Sequence, residues 1–84
     1  MALPNAPVTL SPQQVEELNQ KLSQMRHDVN NHLSLIVAAV ELIKYKPEMK
    51  ERMTATLSEQ PSKIMKEMAK FSSEFEKHFG ITRE

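Results

Sequence analysis

The fold is decided by residues 11–46, which read SPQQVEELNQKLSQMRHDVNNHLSLIVAAVELIKYK. Apolar side chains recur there at steps of three and four residues, which is the spacing of one face of an α-helix. No proline or glycine interrupts residues 13–46. The pattern therefore predicts one long helix with a single apolar face, made of Val15, Leu18, Leu22, Met25, Val29, Leu33, Ile36, Val40 and Ile43.

Both ends of this first helix carry sequence signals. Ser11 is a favourable N-cap and Pro12 suits the first helical position. Gln14 stands three residues after the cap, as a capping box requires. At the other end, Pro47 disfavours a helical conformation of the residue before it. We therefore predict helix one over about residues 12–45, roughly 50 Å long at 1.5 Å per residue.

The same spacing resumes after a turn at about residues 46–47 and predicts a second helix over about residues 48–79. Pro61 is the one conflict, because a proline inside a helix removes a hydrogen bond and crowds a carbonyl of the preceding turn. The apolar phase continues across it, so we favour one kinked helix over a break near residues 58–61. The positions in phase are Met49, Met53, Leu57, Gln60, Ile64, Met68, Phe71, Phe75 and Phe79.

Two helices of similar length joined by a very short turn form an antiparallel hairpin. We expect this all-α hairpin over residues 11–79, between a flexible leader at residues 1–10 and a tail at residues 80–84. Gly80 is a plausible C-cap of helix two. Because a two-helix hairpin cannot cover its own apolar stripe, we expect it to homodimerise into a four-helix bundle.

The composition excludes several classes of function. A single glycine leaves no glycine-rich phosphate loop, so no cofactor site is expected. No cysteine is present, and the three histidines lack metal-ligand spacing, so no metal is expected either. The 11 basic and 11 acidic residues balance, which disfavours nucleic acid as a partner. Without an apolar run near 18 residues or a signal peptide, we expect a cytoplasmic protein with no membrane contact.

The candidate functional residues lie in the middle of helix one, where residues 25–33 read MRHDVNNHL. On a helical wheel His27 points roughly 160° from the centre of the apolar face, so we predict that it is exposed. Asn31 lies beside it one turn later, and Asp28 lies on the flank. His32 falls at the edge of the apolar face, where a hydrogen bond with Asp28 is possible. An exposed imidazole beside a carboxylate is a competent nucleophile for phosphoryl transfer, because the carboxylate can accept the ring proton.

This segment resembles the H-box of the dimerisation and histidine phosphotransfer domain of two-component sensor histidine kinases. In that family the histidine is followed by an acidic residue, by threonine or asparagine at the fourth position after it, and by an apolar residue two further on. Here these residues are His27, Asp28, Asn31 and Leu33. His32 stands where many members have proline, and we interpret it as a residue tolerated at the edge of the bundle. The family fold is a helical hairpin that dimerises into a four-helix bundle.

The resemblance implies a role for each matched residue. His27 would accept the phosphoryl group, and Asp28 would be the acid/base that activates it. Asn31 would orient a water molecule that dephosphorylates a partner receiver. The implied partners are a second copy of the chain, the receiver domain of a response regulator, and an ATP-binding kinase domain acting in trans or belonging to a longer kinase. We expect that the chain does not use ATP by itself.

Antiparallel pairing about the turn places His27 opposite about residues 63–68. Lys63 and Lys66 are therefore expected near the phosphorylation site, where a positive charge stabilises a phosphoryl group. A solvated basic pair is the alternative interpretation.

The alternative function is a non-catalytic dimeric helical adaptor in which His27 is incidental. The sequence leaves open which receiver is the partner and which signal is sensed. It also leaves open whether transfer occurs within or between chains of a dimer, and whether the chain is a complete protein or a piece of a kinase.

Overall fold

The computed structural model of the protein describes residues 2–81, so Met1 of the expected leader and residues 82–84 of the expected tail lie outside it. The described residues form an antiparallel hairpin of two long helices. Helix α1 spans Pro12–Tyr45 and helix α2 spans Lys50–Phe79, with 34 and 30 residues. A 3-10 turn over Pro47–Met49 joins them. The expectation of an all-α helical hairpin is confirmed.

The start of α1 is closed by a reciprocal capping box. The backbone N–H of Gln14 donates to the side-chain oxygen of Ser11 at 3.1 Å, and the backbone N–H of Ser11 donates to Oε1 of Gln14 at 2.8 Å. At the other end the N–H of Lys46 donates to the carbonyl of Leu42 at 2.8 Å. Pro47 follows directly and begins the 3-10 turn, so α1 ends where the proline requires.

Helix α2 is continuous through Pro61. The alternative of two helices with a break at residues 58–61 is not observed. The helix ends at Gly80, which adopts the left-handed conformation with φ of 65°. In that conformation the N–H of Gly80 donates to the carbonyl of Glu76 and closes the last turn.

The seam between the two helices is thin. Ala39 is the one fully buried apolar side chain among residues 2–81, and Gln60 is the one fully buried polar side chain. The Cα atoms extend over 58 × 28 × 12 Å, so the structure is long and flat. The apolar residues that face the other helix are mostly half-buried, among them Leu18, Leu22, Met25, Val29, Ile36, Ile43, Met53, Leu57, Ile64 and Phe71.

Each helix also carries apolar side chains that the other helix does not cover. These residues lie roughly 50–130° around their helix from the seam, at 100° per residue. On both helices these residues are rotated away from the seam in the same direction about the helix axis. Because the helices are antiparallel, the exposed apolar residues of both lie on one side of the hairpin. A groove lined by Val15, Leu22, Phe71 and Phe75 shows that the two helices meet there. We call this surface the exposed apolar strip; its members are Val15, Leu33, Val37, Val40, Met65, Met68 and Phe75, all exposed.

The periodicity of the sequence assigned Val15, Leu33, Val40, Met68 and Phe75 to the same apolar face as the seam residues. The structure divides that face in two, because its arc is wider than a single neighbouring helix can cover. Within the described residues, neither helix is long and apolar enough to cross a membrane.

Candidate functional site

His27 lies near the middle of α1, with its side chain exposed as the helical wheel predicts. It stands 15 residues after Pro12 and 18 before Tyr45, roughly 22 Å and 27 Å along the helix axis. Both helix ends and the turn are therefore distant from it. The imidazole projects from a regular, uninterrupted segment of helix, which presents it to solvent on a rigid element.

The ring of His27 forms a side-chain hydrogen bond with Asn31. The amide nitrogen of Asn31 lies 3.3 Å from Nε2 of His27. An amide nitrogen only donates, so Nε2 accepts this hydrogen bond and the neutral ring carries its proton on Nδ1. The spacing of four residues places both side chains on one exposed face of α1. The structure thus brings together two of the three predicted site residues.

Asp28 is half-buried at the side of α1 and points back along the helix. Its Oδ1 accepts a hydrogen bond from Nε2 of Gln24 at 2.9 Å. The possible hydrogen bond between Asp28 and His32 is therefore replaced by one to the preceding turn. Among the described side chains, no hydrogen bond joins Asp28 to His27, although the two residues are adjacent in sequence. Gln24 also lines a groove between the helices with Lys21, Met25, Glu67, Lys70, Phe71 and Glu74.

His32 contacts the other helix. Its Nδ1 lies 2.8 Å from Oε1 of Gln60, and Nε2 of Gln60 donates to the carbonyl of Thr56 at 3.2 Å. The sequence interpretation of His32 as a tolerated edge residue missed this contact. The available signal was Gln60 itself, which is a polar residue at a position in phase with the apolar face of α2.

The two lysines expected near His27 lie on α2 at nearly the same level as His27 along the hairpin axis. The contact of His32 with Gln60 sets the register, so five residues earlier on α1 His27 is level with Met65. Lys63 and Lys66 are within two residues of that level, roughly 3 Å along the axis. Lys63 forms an exposed ion pair with Glu59 at 3.7 Å. Among the described residues no hydrogen bond joins His27 to either lysine, and both lysines are exposed.

No group of three or more histidine, aspartate or glutamate side chains in residues 2–81 is arranged to hold a metal ion. No family model, curated protein or solved structure matches the chain. The function is therefore argued from the geometry of His27, Asp28 and Asn31 and from the surface that the hairpin leaves exposed.

Proposed function

We propose that this chain is a histidine phosphotransfer module that acts as a homodimer in a two-component phosphorelay. His27 accepts a phosphoryl group and passes it to the aspartate of a response-regulator receiver domain. The observation that carries the proposal is the exposed imidazole at the middle of a 34-residue helix, with Asn31 at 3.3 Å from its Nε2. Phosphoryl transfer depends mainly on positioning and charge stabilisation, so an exposed nucleophile on a rigid helix suffices when the partner completes the site.

In the first step the lone pair of Nε2 of His27 attacks the phosphorus of the donor. The bond from phosphorus to the donor oxygen breaks, and the donor leaves with that electron pair. The phosphorylated ring then gives up its Nδ1 proton, for which the carboxylate of Asp28 is the proposed acceptor. In the second step a carboxylate oxygen of the receiver aspartate attacks phosphorus and the P–N bond breaks. Nε2 recovers its electron pair, and the proton held by Asp28 returns to Nδ1, so the ring leaves as neutral imidazole.

The roles of Asp28 and Asn31 follow from their positions beside His27. The hydrogen bond from Gln24 orients the carboxylate of Asp28, which is half-buried and so less free than an ordinary surface side chain. The amide of Asn31 is already next to Nε2, the atom to which phosphorus binds. A water molecule held by this amide is therefore close to a phosphoryl group at the site, which suits receiver dephosphorylation.

Dimerisation is proposed from the exposed apolar strip. Seven large apolar side chains of the strip are exposed, and the seam fully buries only Ala39 among the apolar side chains of residues 2–81. Large exposed apolar patches are typical of protein–protein interfaces. A second hairpin pairing through the strip produces a four-helix bundle and covers both strips. His27 projects roughly 120° around α1 from the strip, so the bundle leaves its imidazole accessible.

The first phosphoryl group has to come from another protein domain. The described residues contain no glycine-rich loop that could hold a nucleotide phosphate. We assign this step to an ATP-binding kinase domain, acting in trans or belonging to a longer kinase, or to a phosphorylated receiver. The proposed compartment is the cytoplasm.

The decisive experiment follows an acid-labile phosphoryl group on the chain. The wild type, His27→Gln and His78→Gln are incubated with a histidine-kinase catalytic domain and labelled ATP, and then with a panel of receiver domains. His78→Gln is the matched control, because His78 lies near the end of α2 and its Nδ1 donates to the carbonyl of Glu74. Label on the wild type and on the control, absent from His27→Gln and chased to a receiver, supports the proposal.

Equal labelling of the wild type and His27→Gln, or none with several donors, contradicts it. The adaptor function is then favoured, since the exposed apolar strip can bind a helical partner without any role for His27.

A further inference from the structure

The geometry points to His32 and Gln60 as positioning residues that fix the rotation of α1 against α2. By doing so they hold His27 and Asn31 in the orientation that a receiver domain meets. The effect on transfer rests on the proposed function, whereas the effect on helix rotation does not and can be measured separately.

The contact joins the two helices through directional hydrogen bonds. His32 and Gln60 are 28 residues apart in the chain, and Nδ1 of His32 donates to Oε1 of Gln60 at 2.8 Å. Gln60 is only 2% exposed, which makes it the largest fully buried side chain among residues 2–81. Its Nε2 donates to the carbonyl of Thr56 at 3.2 Å, which fixes the amide with Oε1 toward His32.

The rest of the seam is poorly suited to fixing one rotation. Most of its half-buried side chains are apolar, and apolar burial is not directional. Met25 and Met53 are unbranched and adapt to different neighbours. The hydrogen bonds of Asp28 and His27 stay within α1 and move with it. A polar contact to a buried group between helices can specify register, because other rotations leave the buried Gln60 without its partner on α1.

The rotation of α1 decides where His27 points. His27 and His32 are five residues apart, which is roughly 140° around the helix. With His32 held toward α2, the imidazole of His27 faces solvent, and Asn31 lies beside it. A rotation of α1 by one residue, about 100°, carries His27 either onto the exposed apolar strip or onto the opposite side of the hairpin. In both cases Nε2 no longer points directly away from α2, so a receiver meets it from a different direction.

The test measures the distance between the helices in solution. The chain has no cysteine, so Ser34→Cys with Ser62→Cys gives one spin-labelled site on each helix, both at exposed positions. Excess unlabelled chain restricts the signal to one hairpin. The key variant is His32→Leu with Gln60→Leu, which removes both polar groups and so leaves no buried partner unsatisfied. Ser58→Ala is the matched control, because it removes a hydrogen bond of 2.9 Å within α2, to the carbonyl of Thr54.

We expect the double variant to keep its helix content and melting temperature while its distance distribution broadens or shifts. Transfer from phosphorylated His27 to a receiver is expected to fall about tenfold, since small misplacements of a nucleophile cost such factors. Direct labelling of His27 by phosphoramidate should stay unchanged, because that small donor needs no fixed orientation. His32→Gln keeps an amide donor toward Gln60 and should restore the narrow distribution, and Ser58→Ala should leave the distribution unaltered.

A double variant whose distance distribution matches the wild type in mean and width overturns the proposal. If that variant does not fold, His32→Leu and His32→Gln decide the question, and equal distributions for the two overturn the proposal. If His27 of the wild type takes no label from any donor, the proposed function fails, but the distance measurement still decides whether His32 and Gln60 fix the rotation.

Discussion

The amide nitrogen of Asn31 donates a hydrogen bond of 3.3 Å to Nε2 of His27. This bond occupies the lone pair that nucleophilic attack requires, so Asn31 has to release the ring before His27 can react. Both side chains are exposed, and a water molecule can replace the amide at little net cost. This hydrogen bond therefore keeps the Asn31 amide next to Nε2, but it is weak enough to break when His27 reacts.

Replacing Asn31 with alanine is expected to spare phosphorylation of His27 and to reduce receiver dephosphorylation. Removing the amide frees Nε2, so labelling by phosphoramidate should stay equal or rise by up to about twofold, in keeping with one weak exposed hydrogen bond. Dephosphorylation should fall because no amide is left to hold the attacking water. Both rates are measured on Asn31→Ala and on Asn30→Ala, an exposed neighbour that serves as the control. Loss of labelling, or equal effects of the two substitutions, would contradict the role of Asn31.

Asp28→Asn should slow phosphorylation of His27 by a kinase domain while leaving the hairpin folded. The asparagine oxygen can still accept from Gln24, so local structure is retained, but the carboxylate that takes the ring proton is lost. General-base contributions are typically about 10²-fold or more, which sets the expected decrease in initial rate. Glu41→Gln, at an exposed acidic residue of α1, is the control. A change in helix content or dimer mass in Asp28→Asn would instead indicate a structural role.

Val40→Glu should weaken the homodimer. Val40 belongs to the exposed apolar strip and is 43% exposed in the single hairpin, so in a bundle the new carboxylate is buried without a partner. We expect the dimer dissociation constant to rise by about 10²-fold or more, with a melting temperature that depends more strongly on concentration. Sedimentation equilibrium measures this directly. Leu35→Glu places the same charge at a similarly exposed position about 140° around α1 from Val40, on the side away from the strip. An equal loss of dimer in that variant would count against pairing through the strip.

Gly80→Ala should destabilise the end of α2. Gly80 has φ of 65°, a conformation that costs an L-residue about 1 kcal/mol. Nothing lies within 4 Å of an added Cβ, so the loss is conformational and owes nothing to a clash. Urea unfolding should show the decrease, and Gly80→Asn should recover part of it because asparagine tolerates this conformation better. An alanine variant as stable as the wild type would show that the cap contributes nothing.

Local features of the sequence were enough to predict where α1 begins and where α2 ends. Ser11 and Gln14 form the expected capping box, and Gly80 ends α2 in the left-handed conformation. These features depend on residues at most a few positions apart. The exposure of His27 follows for the same reason, because it depends only on the phase of α1.

Contacts between residues far apart in the chain were not predictable in this way. The partner of His32 is Gln60, and that pairing depends on the register that the turn imposes on the two helices. The single apolar face drawn from periodicity also proved to be two surfaces. Leu33 and Val40 recur at the same steps as Met25 and Ile36, but only the rotation of α1 against α2 decides which of them the seam covers.

Pro61 has a mechanical consequence for α2. A proline cannot donate to the carbonyl of Leu57, so one hydrogen bond of the helix is missing at this level although the helix is continuous. Because that hydrogen bond is already absent, α2 can bend at this level without breaking another one. Pro61 is therefore the point at which α2 bends most easily. It follows Gln60 directly and is level with Asn31 across the seam. Bending of α2 is therefore concentrated at the level of His27 and Asn31 on α1, while the segments of α2 on either side of Pro61 stay stiff.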